Sequence, residues 1–177
     1  MQVLIAVDSR YGATREIAEA IGRTLAEHGH AIDVRAAEEV PDDLGGADAV
    51  VMGSGLYAGQ WLRHARELLD RAAEALAGTQ LWAFSSGPLS RDAELVPPAL
   101  MEERLAPFAP RDHAVFPGRL DHRQLLMGDK AVAQSLNADD GDYRDWDAIE
   151  AWAARVAARI RSRRSSPGRS PCSCCPL

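Results

Sequence analysis

Apolar positions along the chain fall into two alternating patterns. Val3-Leu4-Ile5-Ala6-Val7 is a short continuous apolar run that ends at Asp8-Ser9-Arg10-Tyr11-Gly12. This is the signature of a strand buried on both faces and followed by a tight turn. Ile17, Ile21 and Leu25 then recur every four residues with Ala18 beside them, which predicts an amphipathic helix of about fifteen residues stopped by Gly29. Ala31–Arg35 alternates as a more exposed second strand, and Ala49-Val50-Val51-Met52-Gly53 reads as a third, buried one. A helix over roughly Trp61–Ala77 carries Leu62, Ala65, Leu69, Ala72 and Leu76 on one stripe. Leu81–Ser85 is the fourth strand, Ala99–Leu105 a short helix behind Pro97-Pro98, and Ala114–Phe116 the fifth strand. A helix is predicted around Leu125–Leu136. The final helix carries Trp146, Ile149, Trp152, Val156 and Ile160 at spacings of three and four, so both tryptophans are expected in the core, as is mid-strand Trp82.

Strands alternating with helices imply βαβ units and a parallel sheet. Five strands on this schedule fit an α/β, doubly wound fold with strand order 2-1-3-4-5 and helices on both faces. In that order the chain reverses between strands 1 and 3, and ligands bind beyond the carboxyl ends of those strands. The turns 8–14 and 53–59 are therefore the privileged positions.

The first turn, Ser9-Arg10-Tyr11-Gly12-Ala13-Thr14, sits directly before a helix. Helix N-terminal N–H groups, two hydroxyls and a glycine make a phosphate cradle. The competing reading is that Ser9 and Thr14 cap the helix and Gly12 makes the turn. The second, Gly53-Ser54-Gly55-Leu56-Tyr57-Ala58-Gly59, contains GxG, but after the third strand rather than the first, which argues against a dinucleotide-binding fingerprint. It suits a flat ring, with backbone amides along the edge and Tyr57 on the face; a plain flexible connection is the alternative. A third turn, Ser85–Arg91, would flank the same site.

Composition narrows the chemistry. The formal net charge is −6, and the last nineteen residues hold five arginines and no acid, so removing those five leaves a body at −11. Such a body repels phosphate backbones and suits docking on a basic protein, not nucleic acid. All three cysteines (Cys172, Cys174, Cys175) lie in the last six residues. The body therefore has no redox dithiol, disulfide framework or four-cysteine cluster, and redox chemistry there needs a borrowed cofactor. There is no P-loop, HExxH or GxSxG, and the five histidines (28, 30, 64, 113, 122) show no metal-ligand spacing, so neither a metal site nor a catalytic side chain is assigned. His28 and His30 are expected to face solvent. No apolar run reaches the ~20 residues of a membrane span, and the N-terminus lacks the basic region of a secretory signal. A cytoplasmic location is the expectation.

Ser9-Arg10-Tyr11-Gly12-Ala13-Thr14, followed by Arg15-Glu16-Ile17-Ala18, resembles the FMN-phosphate loop of flavodoxin-like proteins, Ser/Thr-x-Ser/Thr-Gly-x-Thr. Tyr11 stands where the electron-carrier flavodoxins have a short hydroxyl. With Val50–Tyr57 and Gly141–Trp146, the chain looks most like the flavodoxin-type, menaquinone-dependent protoporphyrinogen oxidase branch, which carries an inserted segment where residues 117–143 fall here. The resemblance covers about 1–161. It implies a flavodoxin-like domain over 1–161 with non-covalent FMN. Ser9, Arg10, Tyr11, Gly12, Ala13 and Thr14 would hold the phosphate. Ser54, Gly55, Leu56, Tyr57 and Ala58 would line the isoalloxazine, with Ser86 and Gly87 on its other side. The implied function is an FMN-dependent oxidoreductase with a redox partner protein or quinone, and a porphyrinogen as a candidate substrate. A one-electron carrier docking through its acidic surface and a flavin-free interaction module are the alternatives. Residues 162–177 read as a disordered basic tail. Its Cys174-Cys175-Pro176-Leu177 matches a prenylation box only formally.

Overall fold

The computed structural model describes residues 1–87, 95–130 and 139–160. Strand β1 (Gln2–Asp8) pairs in parallel with β2 (Ala31–Ala36) on one side and β3 (Ala49–Tyr57) on the other, with Val3 opposite Ile32 and Ala49. Strand β5 (Gln80–Ser86) continues from β3, and β6 (His113–Phe116) closes the far edge. The spatial order of these five parallel strands is β2-β1-β3-β5-β6, the order expected for a doubly wound sheet.

Alternation along each strand sends side chains to both faces, and each face has its own core. Val3, Ile5 and Val7 pack with Ile17, Ile21 and Leu25 of α1 (Ala13–Glu27) and with Ile149, Trp152 and Val156 of α5 (Trp146–Arg159). Leu4, Ala6, Val50 and Met52 pack on the opposite face with Leu68, Leu69 and Leu76 of α2 (Arg63–Arg71) and α3 (Ala73–Ala77), and with Met101 and Leu105 of α4 (Ala99–Leu105). Double-sided burial is why β1 and β3 are apolar without alternation, whereas edge strand β2 is only half-buried. Phe84, Phe116 and Trp152 form a ring cluster with centroids 5.8–6.4 Å apart. Gly53 is required beneath it, since a Cβ there would lie 2.0 Å from Phe84 Cζ.

Several expectations change. The turn expected at 53–59 is mostly strand. β3 runs on to Tyr57 because its backbone pairs with β1 as far as Ser54, with β5 as far as Gly55, and with a short antiparallel strand β4 (Gln60–Trp61) beyond. That leaves only Ala58 and Gly59, at φ 50° and 74°, as the turn. Trp61 thus belongs to β4, and the following helix starts at Arg63 and is interrupted at Ala72. Ser85 and Ser86 likewise belong to β5. Within 117–143, β7 (Arg119–Leu120) pairs antiparallel with β8 (Gly141–Asp142), a two-stranded ladder that no local pattern announces. Of the helix expected at 125–136, residues 127–130 are helical. Residues 131–136, the 88–91 part of the third turn and the 162–177 tail lie outside the described residues. Trp152 is buried, but Trp146 is 37 % exposed and covers the Arg144 guanidinium, 4.5 Å from its ring centroid. His30 is half-buried rather than fully solvent-facing.

A chain of polar groups runs from buried Trp61 and Ser85 through His113 to exposed Glu102. Trp61 Nε1 donates to Ser85 Oγ (2.8 Å), Ser85 Oγ meets His113 Nε2 (2.8 Å), and His113 Nδ1 meets Glu102 Oε1 (2.8 Å). Both ring nitrogens of His113 are thus within hydrogen-bond distance of a polar partner, Ser85 Oγ on one side and Glu102 on the other. Burial lowers the His113 pKa below its ordinary value, against the opposing pull of Glu102 and Asp112. The neutral form is therefore favoured by folding. The stability it contributes is full above the unfolded pKa of about 6.5 and is lost as pH falls from there through the lower folded pKa. Urea unfolding midpoints are expected to drop between pH 7.5 and pH 5, and the His113→Gln variant to show a shallower drop across that window.

Candidate functional site

The carboxyl ends of β1, β3 and β5 open onto a cavity of about 340 Å³. Ser9, Arg10, Tyr11, Ala13 and Thr14 from the first loop line it, as do Gly55, Leu56, Tyr57 and Ala58 at the end of β3 and Ser86 and Gly87 at the end of β5. These are eleven of the thirteen residues singled out from the sequence. The other two, Gly12 and Ser54, do not line it. Gly12 is the N-cap of α1 at φ 84°, a left-handed turn that suits glycine. Ser54 is fully buried, donating to Gly55 O (3.0 Å) and accepting from Leu62 N–H (2.9 Å), which ties β3 to the start of α2.

The first turn of α1 is electrostatically open. Its first helical bond runs from Glu16 N–H to Gly12 O (3.0 Å), and no side chain caps it, so the capping role considered for Ser9 and Thr14 does not hold. The N–H groups ahead of Glu16 are left for a ligand. Among the described residues, Ser9 Oγ is one of the few buried polar side-chain atoms with no hydrogen-bond partner. A buried hydroxyl of this kind costs about 1–3 kcal/mol unless something meets it. An uncapped helix N-terminus beside an unpaired hydroxyl fits a phosphate. The β3 and β5 walls are tightly packed at their glycines: a Cβ on Gly87 would lie 2.6 Å from Leu56 Cβ, and one on Gly55 3.2 Å from the Tyr57 ring. Such a wall lets a planar ring approach the main chain.

Sequence reasoning did not single out the third side of the cavity. Gly118, Arg119, Leu120, Leu125 and Asp129, all from the 117–143 segment, complete its lining. Asp129 pairs with Arg10 (3.2 Å) and accepts a hydrogen bond from the Tyr11 hydroxyl, which also accepts from Leu126 N–H (3.3 Å). The Arg10 guanidinium lies 5.8 Å from the Tyr11 ring centroid and 5.6 Å from that of Tyr57. Tyr11 and Arg10 therefore fasten Leu126 and Asp129 to the first loop. Burial, then the bond to Asp129, raises the Tyr11 phenol; burial, then the charge of Asp129, pushes Tyr57 up to about 12. Both stay protonated in neutral solution.

Behind the loop, the Arg144 side chain is 3 % exposed and pairs with Glu16 (2.7 Å) and Asp142 (2.5 Å). It also donates to Ala13 O (3.3 Å). Arg119 joins through Glu16 at 3.0 Å. Asp145 Oδ1 accepts from Ala148 N–H (2.9 Å) and caps α5 directly after this cluster.

A family model described as a flavodoxin domain matches residues 4–147, so the chain belongs to the flavodoxin-domain family. A flavodoxin from the domain Archaea is 18 % identical over 90 % of this chain and 99 % of its own, with a TM-score of 0.61. Oxidised flavodoxin 2 from Bacillus cereus is 19 % identical over 89 % of this chain and 96 % of its own (TM-score 0.58). The rubredoxin oxygen:oxidoreductase of Desulfovibrio gigas is 14 % identical over 89 % of this chain but only 36 % of its own (TM-score 0.55). At these identities the structures show the shared fold. No curated protein sequence matches the chain significantly. FMN is the cofactor that the family implies. The open helix N-terminus, unpaired Ser9 Oγ and glycine walls fit its phosphate and ring. Among the described residues, no helix is long and apolar enough to cross a membrane.

If Ser9 Oγ meets the phosphate, Ser9→Ala should weaken FMN binding by about tenfold, equivalent to about 1.4 kcal/mol. Gly87→Ala should weaken it at least as much by pushing Leu56 into the cavity. Titration followed by quenching of flavin fluorescence measures both, and unchanged affinities would remove these residues from the site.

Proposed function

We propose that the chain is an FMN-dependent oxidoreductase of the protoporphyrinogen-oxidase-like type, acting on a substrate at its own flavin rather than only relaying electrons. The observation that carries this reading is the third wall. Five residues of the 117–143 segment line the same cavity as the two flavin loops and make a bounded recess beside the ring position. Ser9, Gly12, Ala13 and Thr14 would hold the phosphate, with Arg10 and Tyr11 bracing that loop against Asp129. Gly55, Leu56, Tyr57 and Ala58 would lie along one side of the ring, with Ser86 and Gly87 on the other. Bound flavin accepts and releases electrons singly or in pairs, and the protein positions it and excludes water. Leu120 and Leu125 give the third wall an apolar surface for a large flat reductant such as a porphyrinogen, with a quinone as acceptor.

The body's charge of −11 supports a second reading, a carrier that docks on a basic redox partner. Turnover separates the two. Purified protein loaded with FMN should oxidise protoporphyrinogen IX with a quinone acceptor, and Leu125→Asp should lower that rate at least tenfold with FMN affinity retained. Electron delivery to a partner without porphyrinogen oxidation would assign the carrier role instead. Failure to take up FMN would overturn both.

A further inference from the structure

Outside the flavin cavity, three potential metal ligands from separate parts of the chain converge. Asp8 ends β1, Glu38 lies in the 3-10 turn Ala37–Glu39, and His64 is in the first turn of α2. One ligand atom from each lies within 4.8 Å of the other two. His64 Nδ1 faces both carboxylates, at 3.6 Å from Glu38 Oε2 and 3.8 Å from Asp8 Oδ2. Both separations are too long for a hydrogen bond. They are close to the spacing of two ligands on one ion: atoms bound about 2.1 Å from a tetrahedral metal lie roughly 3.4 Å apart. The three groups converge within 4.8 Å, and the imidazole is hydrogen-bonded to neither carboxylate.

We propose that Asp8, Glu38 and His64 form a binding site for a divalent transition-metal ion, with water completing its coordination. One imidazole nitrogen and two carboxylate oxygens are a ligand set that zinc, cobalt or manganese accepts. Asp8 is already held as a metal-ligating carboxylate needs to be. It is buried, and its Oδ2 accepts a hydrogen bond from Ala65 N–H at 3.1 Å, which fixes its direction. Glu38 is half exposed and can close the remaining distance by a rotamer change, at little cost. Arg63 Nη2 lies 3.2 Å from His64 Nε2. Metal at Nδ1 requires the imidazole proton on Nε2, so Arg63 must turn away. It is 72 % exposed and already pairs with Glu67, so that movement is open to it. The ion would tie the end of β1, one residue before the phosphate loop, to the start of α2.

The probe is zinc chloride, titrated calorimetrically into the full-length chain carrying its flavin, with Cys172, Cys174 and Cys175 replaced by serine so that no thiolate competes. One equivalent should bind saturably. His64→Ala should weaken it at least about 100-fold, beyond the 10–100-fold cost of losing an outer-shell partner. Glu38→Gln should weaken it about tenfold. Flavin content should stay the same in both variants, since neither residue lines the flavin cavity. No saturable binding at millimolar zinc, or binding equal in the parent and both variants, overturns the proposal. Should His64→Ala fail to fold by circular dichroism, Glu38→Gln decides: an unchanged affinity overturns the site.

Discussion

Double-sided burial of β1, β3 and β5 is the constraint on which the rest of the molecule rests. A parallel strand in the middle of a sheet cannot be joined to its neighbour by a tight turn, so a helix must cross over one face, and right-handed crossovers then fill both faces. Reversing direction between β1 and β3 leaves their carboxyl ends without a helix packed across the gap. The cavity forms there, and the residues that line it are the ones that leave those strand ends. The energetic weight lies in the cores behind it: the Phe84, Phe116 and Trp152 cluster on one face, and Leu68, Leu69 and Leu76 on the other. Full burial of each such side chain contributes about 1.5–3 kcal/mol. A rigid sheet edge of this kind can hold an uncapped helix N-terminus and an unpaired serine hydroxyl in place, though neither stabilises the fold.

Charge around the loop is arranged to be self-contained. Arg144 is removed from water, a cost of several kcal/mol for a lone guanidinium. Glu16, Asp142 and Ala13 O accept its protons, and the Trp146 ring covers its face. Glu16 serves two arginines at once and, as the acid in the first turn of α1, favours the helix dipole. Arg10 is likewise spent on Asp129. The positive potential at the first turn of α1 therefore comes mainly from backbone N–H groups, in keeping with a domain whose net charge is strongly negative.

The 117–143 segment gives the cavity its individual character. The β7–β8 pair carries Arg119 to Glu16 and brings Asp142 to Arg144, while Asp129 bonds to the loop at Arg10 and Tyr11. Tyr11, which departs from the short hydroxyl of the electron carriers, acquires a purpose in this arrangement. Its phenol reaches Asp129 and Leu126, a distance that a serine or threonine side chain could not span.

Residue pattern alone determined the αβ alternation, the sheet order, the helix from Ala13 to Glu27 and the loop that precedes it, because each is written in local periodicity and turn chemistry. Eleven of the thirteen residues singled out from the sequence line one cavity. Tertiary structure decided what depends on pairing between distant segments. Glycine-rich Gly53–Tyr57 reads as a turn, yet it is strand because three neighbours bond its backbone. Trp146 shares the helical spacing of Trp152, but it starts the helix and faces Arg144 instead of the core. The third wall and the meeting of Asp8, Glu38 and His64 have no local signature, since spacing along the chain carries no information about which residues a crossover brings together.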